Sequence, residues 1–275
     1  MKSFALKTNN KEIINYLLNN FSYPNTYISV KKFKIYTNII FHYTGKYPNS
    51  FIGELSNFLV NTILKFKESK ILERIIKTNY FYFSDDEQEI VLKKCLVFLN
   101  DPANVEHQVR IEHIYVAFLK YISSNKSVIL DGFINFRLYN YIKLLDYVVD
   151  IFINDFVIDR EYKEFINLLK TYVNSKPCNT NLVHFIYKEK NSKLLDGNYK
   201  EIPLKSDLSN LNYISDVSFS ENDISLNTLL TILPRKIVIH LFKESDEFIK
   251  TLICIFENRI EFSNSGLEDG PKIPF

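Results

Sequence analysis

The chain has 275 residues, 46% hydrophobic and 24% charged. That is enough for one large cored domain or two modest ones, and it is not the composition of a disordered segment. A net charge of +2 argues against a polyanion binder by bulk charge, but residues 1–80 carry 12 Lys and Arg against 4 Asp and Glu, leaving 22 against 28 beyond. The basic N-terminal third points to docking on the acidic remainder, to a weakly anion-attracting face, or to plain solvated lysines.

Residues 1–100 read as strand, helix, strand, strand and then helices. Ser3–Thr8 is a short strand, and Asn10 caps a helix over Lys11–Phe21 with Ile13, Ile14, Leu17 and Leu18 on one face. After a turn at Pro24-Asn25, Thr26–Lys34 and Ile35–Tyr43 alternate as half-buried strands do. Gly45 and Pro48 punctuate, and a helical period runs from Ser50 to Asn79. Ser84 with Glu87 forms a capping box that opens a helix over Asp85–Asn100, ended by Asp101-Pro102.

Residues 103–176 read as a helical hub. Ile111, Ile114, Tyr115, Phe118, Leu119 and Ile122 make one stripe, followed by a break at Ser123–Lys126. Asp131–Val173 then reads as an aromatic-rich amphipathic helix pair, with Asp159 as the N-cap of the second helix.

Residues 178–275 read as a small α/β region. Leu182–Tyr187 is a strand, Asp196-Gly197 a hairpin turn before Tyr199–Ile202, and Tyr213–Phe219 a further strand. Asp223 caps a helix stopped by Pro234, Ile237–Leu241 is a buried-type strand, Ser245 caps a helix to Asn258, and Ile260–Phe262 is a strand. That spacing predicts a βαβ unit with a parallel pair, and the residues after Ser263 read as a loose polar tail. The fold class is therefore α/β or α+β.

Few residues carry recognisable chemistry. There is no GxGxxG, GxxxxGK[ST], GxSxG or HExxH, and the five histidines show no metal-ligand spacing, so neither cofactor nor metal is implied. Cys95, Cys178 and Cys254 form no CxxC; Cys95 and Cys254 are expected on apolar helix faces, as in a reducing compartment. The N-terminal segment is not a signal peptide and no run is long enough to span a membrane, so a cytoplasmic location is expected. Arg137, between Phe136 and Leu138, is expected to be partly buried and to need a carboxylate from Asp150, Asp155, Glu161 or Glu164. With Tyr162 these residues form the candidate polar network, either an interhelical ion pair or a ligand site. Lys31, Lys32 and Lys34, interleaved with Tyr27, Phe33 and Tyr36, form a candidate basic face on the N-terminal sheet.

One family resemblance rests on the helix pair. Gly132-Phe133, Phe136-Arg137, Tyr141, Val149-Asp150, Asp155, Glu161-Tyr162, Glu164-Phe165-Ile166 and Leu168-Leu169 resemble the YtxC sporulation-protein family of spore-forming Firmicutes. Weaker similarity extends to Tyr80–Phe83 and to the join Leu233-Pro234-Arg235-Lys236-Ile237, with departures at Phe156 and Lys170-Thr171. The resemblance implies an intracellular protein of sporulating bacteria and supplies no activity, so no catalytic residue carries over. Three functions stay open. One is a non-enzymatic regulator or scaffold with protein partners. Another is an enzyme or small-ligand sensor with an anion pocket around Arg137, and the last is a weak single-stranded nucleic-acid binder using the basic sheet.

Overall fold

Alternation at the N-terminus builds a sheet with one apolar face. In the computed structural model, which describes residues 2–188, 192–203, 220–241 and 246–263, strands β1 (Lys2–Thr8), β2 (Thr26–Lys32), β3 (Thr37–Tyr43) and β4 (Ser127–Ile129) lie in the order β2-β3-β1-β4. β1 and β2 flank β3 antiparallel, and β4 runs parallel to β1. Phe4, Leu6, Ile39, Phe41 and Val128 are buried on the core side. The period of two sends Ser3, Ala5, Lys7, Asn38, Ile40 and His42 to the opposite side. β4 follows the expected break at Ser123–Lys126, in residues to which the sequence reading gave no element; three residues are too short to show a period, and their pairing with β1 is long-range. The strands also stop short of the expected Lys34 and Ile35, because residues 33–36 form the hairpin tip.

Between β1 and β2 lies α1 (Lys11–Asn20), capped as expected by the Asn10 side chain, which accepts from the amides of Glu12 and Ile13. Just after β3, Gly45 is required by a close approach: a Cβ there would collide with the folded-back Tyr43 ring. The helical run from Ser50 is two helices, α2 (Pro48–Phe66) and α3 (Glu68–Asn79), parted at Lys67. α4 (Asp85–Asn100) opens on the Ser84–Glu87 capping box, and α5 (Val105–Ser124) follows.

The expected helix pair has its break in a different place. α6 (Leu130–Arg137) ends at Leu138, and α7 then runs unbroken over Tyr139–Ser175, so Asp159 lies inside a helix rather than capping one. No Gly or Pro occurs between residues 139 and 175, so nothing in the backbone chemistry stops the helix at the charged stretch Asp159–Glu164.

The chain divides into two compact units, Met1–Val157 and Ile158–Phe275, and the boundary falls within the stretch read from sequence as the helical hub. Each unit has its own core. In the second, β5 (Thr180–Tyr187), β6 (Lys193–Asp196), β7 (Pro234–Leu241) and β8 (Ile260–Phe262) lie in the order β6-β5-β7-β8. β5–β7 and β7–β8 are parallel, as the βαβ reading requires, and β5–β6 is antiparallel. Val183, Phe185, Ile237 and Ile239 pack with Ile166 and Val173 of α7, Leu229 of α8 (Glu221–Ile232), and Ile249, Leu252 and Phe256 of α9 (Glu247–Phe256).

Caps in this unit differ in detail from those expected. Ser220 is the N-cap of α8 and Asp223 closes its capping box, while Asp246 caps α9. Pro234 begins β7, with Leu233 held left-handed before it. Tyr199–Ile202 contributes a single bridge, Leu195 to Glu201, instead of a strand. The expected strand Tyr213–Phe219, the Ser245 cap and the tail after Ser263 lie outside the described residues.

Candidate functional site

A buried polar cluster lies in the first unit, at a place not anticipated from sequence. Arg110 of α5 and Glu68 of α3 are each 2% exposed and form an ion pair. The Arg110 guanidinium also donates to Asn100 Oδ1 at 3.1 Å, and the Tyr141 hydroxyl donates to Glu68 Oε2 at 3.0 Å. Both carboxylate oxygens are thereby occupied. Burial pushes the Glu68 carboxyl up, and the guanidinium pulls it only part of the way back. Burial, reinforced by the Glu68 charge, likewise pushes the Tyr141 phenol up. Arg110 Nε has no partner among the described residues. A sealed pair of this kind fixes the register of α3, α5 and α7 and presents nothing to a substrate. One signal could have found it: Arg110 stands four residues ahead of Ile114 on the buried stripe that continues to Phe118 and Ile122.

The candidate network has different surroundings from those expected. Arg137 is exposed, not partly buried, because it ends a short helix instead of lying within a long one. It makes no ion pair with a described residue, so the expected carboxylate partner is not there. Asp150 accepts from the Tyr80 hydroxyl at 2.5 Å; burial, and next this bond, pushes the Tyr80 phenol up. Asp155 and Glu161 are exposed on α7. The Tyr162 hydroxyl lies 2.5 Å from Thr251 Oγ1, and Glu164 is 3.9 Å from Arg160. Cys254, expected on an apolar face, is exposed, whereas Cys95 is buried as expected.

What Arg137 does have is a cationic neighbour. It lines a groove of about 470 Å³ with Lys7, Ser127, Ile129 and Phe136, and among the described residues no carboxylate lines that groove. The groove opens beside the outer face of the first sheet, where strand register sets residues in transverse rows. One row is Tyr27, His42 and Ser3; another is Lys31, Asn38, Lys7 and Ile129. Tyr27 stacks on His42 at 4.5 Å, and the two ring nitrogens of His42 lie 2.9 Å from Ser3 Oγ and 2.8 Å from Ser29 Oγ. Of the candidate basic residues, Lys31 is on this face, Lys32 projects from the same strand toward the other side, and Lys34 is in the hairpin tip.

The second unit holds a groove of about 640 Å³ between α7 and α9, lined by Tyr162, Lys163, Lys250, Thr251 and Cys254 among others, and crossed by a Lys170–Glu257 ion pair of 2.5 Å. On adjacent strands, His184 Nδ1 lies 3.1 Å from His240 Nε2, and Tyr199 stacks on His184. Burial pushes both imidazoles down, and for His184 the second imidazole adds to the effect. Among the described residues, no three His, Cys, Asp or Glu side chains are grouped to hold a metal.

The helices that carry Gly132-Phe133, Phe136-Arg137 and Val149-Asp150 fall within the stretch matched by a sequence profile. The profile of the YtxC-like family matches residues 53–261. The chain belongs to the YtxC-like family. It is 22% identical over 218 residues to the Bacillus subtilis (strain 168) protein described as "Uncharacterized protein YtxC", a match covering 74% of each chain. No solved structure matches it significantly. The profile match begins in α2, so β1, α1, β2 and β3 precede the YtxC-like stretch.

Proposed function

We propose that this YtxC-like chain is a non-enzymatic protein of the sporulation programme that works in the cytoplasm as a regulator or scaffold, through contacts with protein partners. One observation carries the reading: the turn between α3 and α4 holds two large rings out to solvent. Phe81 is 76% and Tyr82 65% exposed, and the two pack edge-to-face at 5.7 Å. The turn that presents them is anchored on both sides. Tyr80 is held by Asp150, Asn79 donates to Asp146 at 2.9 Å, and Phe83 is buried beneath. Exposed rings on a fixed support lose little conformational entropy on association, which is how aromatic anchors contribute most to interfaces. Tyr139 and Tyr147 of α7 are exposed as well.

The sealing of Glu68, Arg110 and Tyr141 supports the same reading, since the most polar part of the interior is inaccessible to a ligand. No helix among the described residues is long and apolar enough to cross a membrane. The test is crosslinking and affinity purification from sporulating cells, comparing the native chain with Phe81→Ser/Tyr82→Ser. The expected result is loss of specific partners and reduced spore yield with an unchanged melting temperature. Retention of the same partners and a normal spore yield would refute it.

A further inference from the structure

We infer that the outer face of the first sheet, continued by the Lys7–Arg137 groove, is a binding surface for single-stranded nucleic acid. It goes beyond protein contacts, and it does not use the Phe81–Tyr82 turn, so either reading can fail without the other.

The first argument is charge. Residues 1–50 hold seven lysines (Lys2, Lys7, Lys11, Lys31, Lys32, Lys34, Lys46) and one carboxylate, Glu12, which lies in the first turn of α1. None of the seven forms an ion pair with a described residue, and neither does Arg137. Asp131, the acidic side chain of α6, is 2.5 Å from Lys67. Cations left unneutralised by their own chain hold mobile counterions, and release of those ions drives association with a phosphate backbone.

The second argument is where the charges lie. Strand order and register put Lys31 on β2 and Lys7 on β1 in the same transverse row, with Asn38 between them. Lys7 and Arg137 then share the groove beside β4. Lys31 and Lys7 therefore stand two inter-strand spacings, about 10 Å, apart on one face, and Arg137 lines the groove at the β4 side.

The third argument separates a nucleic acid from a bare polyanion. Exposed rings flank the line of cations: Tyr27, braced face-to-face by His42, and Phe136, which is 83% exposed and lines the groove. Ala5, Ile40 and Ser127 share the transverse row between that of Tyr27 and that of Lys31 and Lys7. Rings beside a basic track accept unstacked bases of any sequence, and a duplex keeps its bases stacked on one another.

The experiment is fluorescence anisotropy of the full chain with labelled oligothymidylate and oligouridylate about 12 nucleotides long. Single strands are expected to bind, and three phosphate contacts give a weakening of about twentyfold between 50 and 200 mM salt. The combined Lys7→Glu/Lys31→Glu/Arg137→Glu variant abolishes binding. Tyr27→Ala and Phe136→Ala each weaken it about tenfold. Melting curves confirm that each variant is folded. Inorganic polyphosphate and a duplex of the same length serve as competitors and are expected to compete poorly. No binding at 50 mM salt overturns the proposal. So does binding that polyphosphate displaces equally well and that the two ring substitutions leave unchanged.

Discussion

Glu68 and Arg110 are worth far more as a pair than either is alone, because each is sealed from water. Arg110→Met leaves Glu68 buried without its counter-charge, and the expected cost is about 3–5 kcal/mol, read as a large drop in the denaturant midpoint of the first unit. Arg137→Met, at an exposed position with no ion-pair partner among the described residues, is expected to shift stability by less than about 0.5 kcal/mol. Equal effects of the two substitutions would contradict this assignment of their roles. The cysteines divide by the same criterion. Burial pushes the Cys95 thiol up to about 12, whereas Cys178 and Cys254 are exposed. A thiol reagent should label those two quickly in the native protein and Cys95 only on unfolding.

At the scale of elements, local chemistry was legible in the first unit at several places where a single side chain decides, and less so in the second, where Ser220 rather than Asp223 caps α8. The Asn10 cap, the Ser84–Glu87 box and the period-two strands all form where their residues predict. The misplaced break between α6 and α7 has a different origin: a cap-like Asp159 and a polar stretch look like a boundary, but without Gly or Pro the helix has no reason to end there. Adjacent parallel strands also create a property that neither strand has alone. His184 and His240 meet across β5 and β7, and burial lowers both below the ordinary value of 6.5. The unfolded chain then binds more protons than the folded one in the window below pH 6.5, so stability is lost as pH falls through it. Thermal melts of the native chain should show that loss, and His240→Asn should reduce it. A flat profile from pH 7 to below 6 would be inconsistent with the pairing.

At the scale of the molecule, the two cores draw on separate residues, one between Phe4 and Ile153 and the other between Ile166 and Phe256. A chain truncated after Val157 retains the whole first core and is expected to melt cooperatively. A broad, non-cooperative melt would show that the second unit is needed for the first to fold. The candidate sites follow the same logic of assembly. The sequence motif around Arg137 correctly marked the family, but the expectation that its carboxylates gather around it treated neighbours in sequence as neighbours in space.

Composition, period and capping residues determined by themselves the fold class and most of the elements, because each depends on interactions within a few residues or on pattern alone; the resemblance to the YtxC-like family rested instead on the particular motif residues around Arg137. Of the candidate basic residues Lys31, Lys32 and Lys34, only Lys31 lies on the outer face of the N-terminal sheet. Tertiary structure decided which charges became buried and which stayed exposed, since that depends on residues far apart in the chain: Arg110 pairs with Glu68, 42 positions away, and Lys7 and Arg137 line one groove. The arginine that sequence singled out is exposed, and the one it passed over anchors the interior.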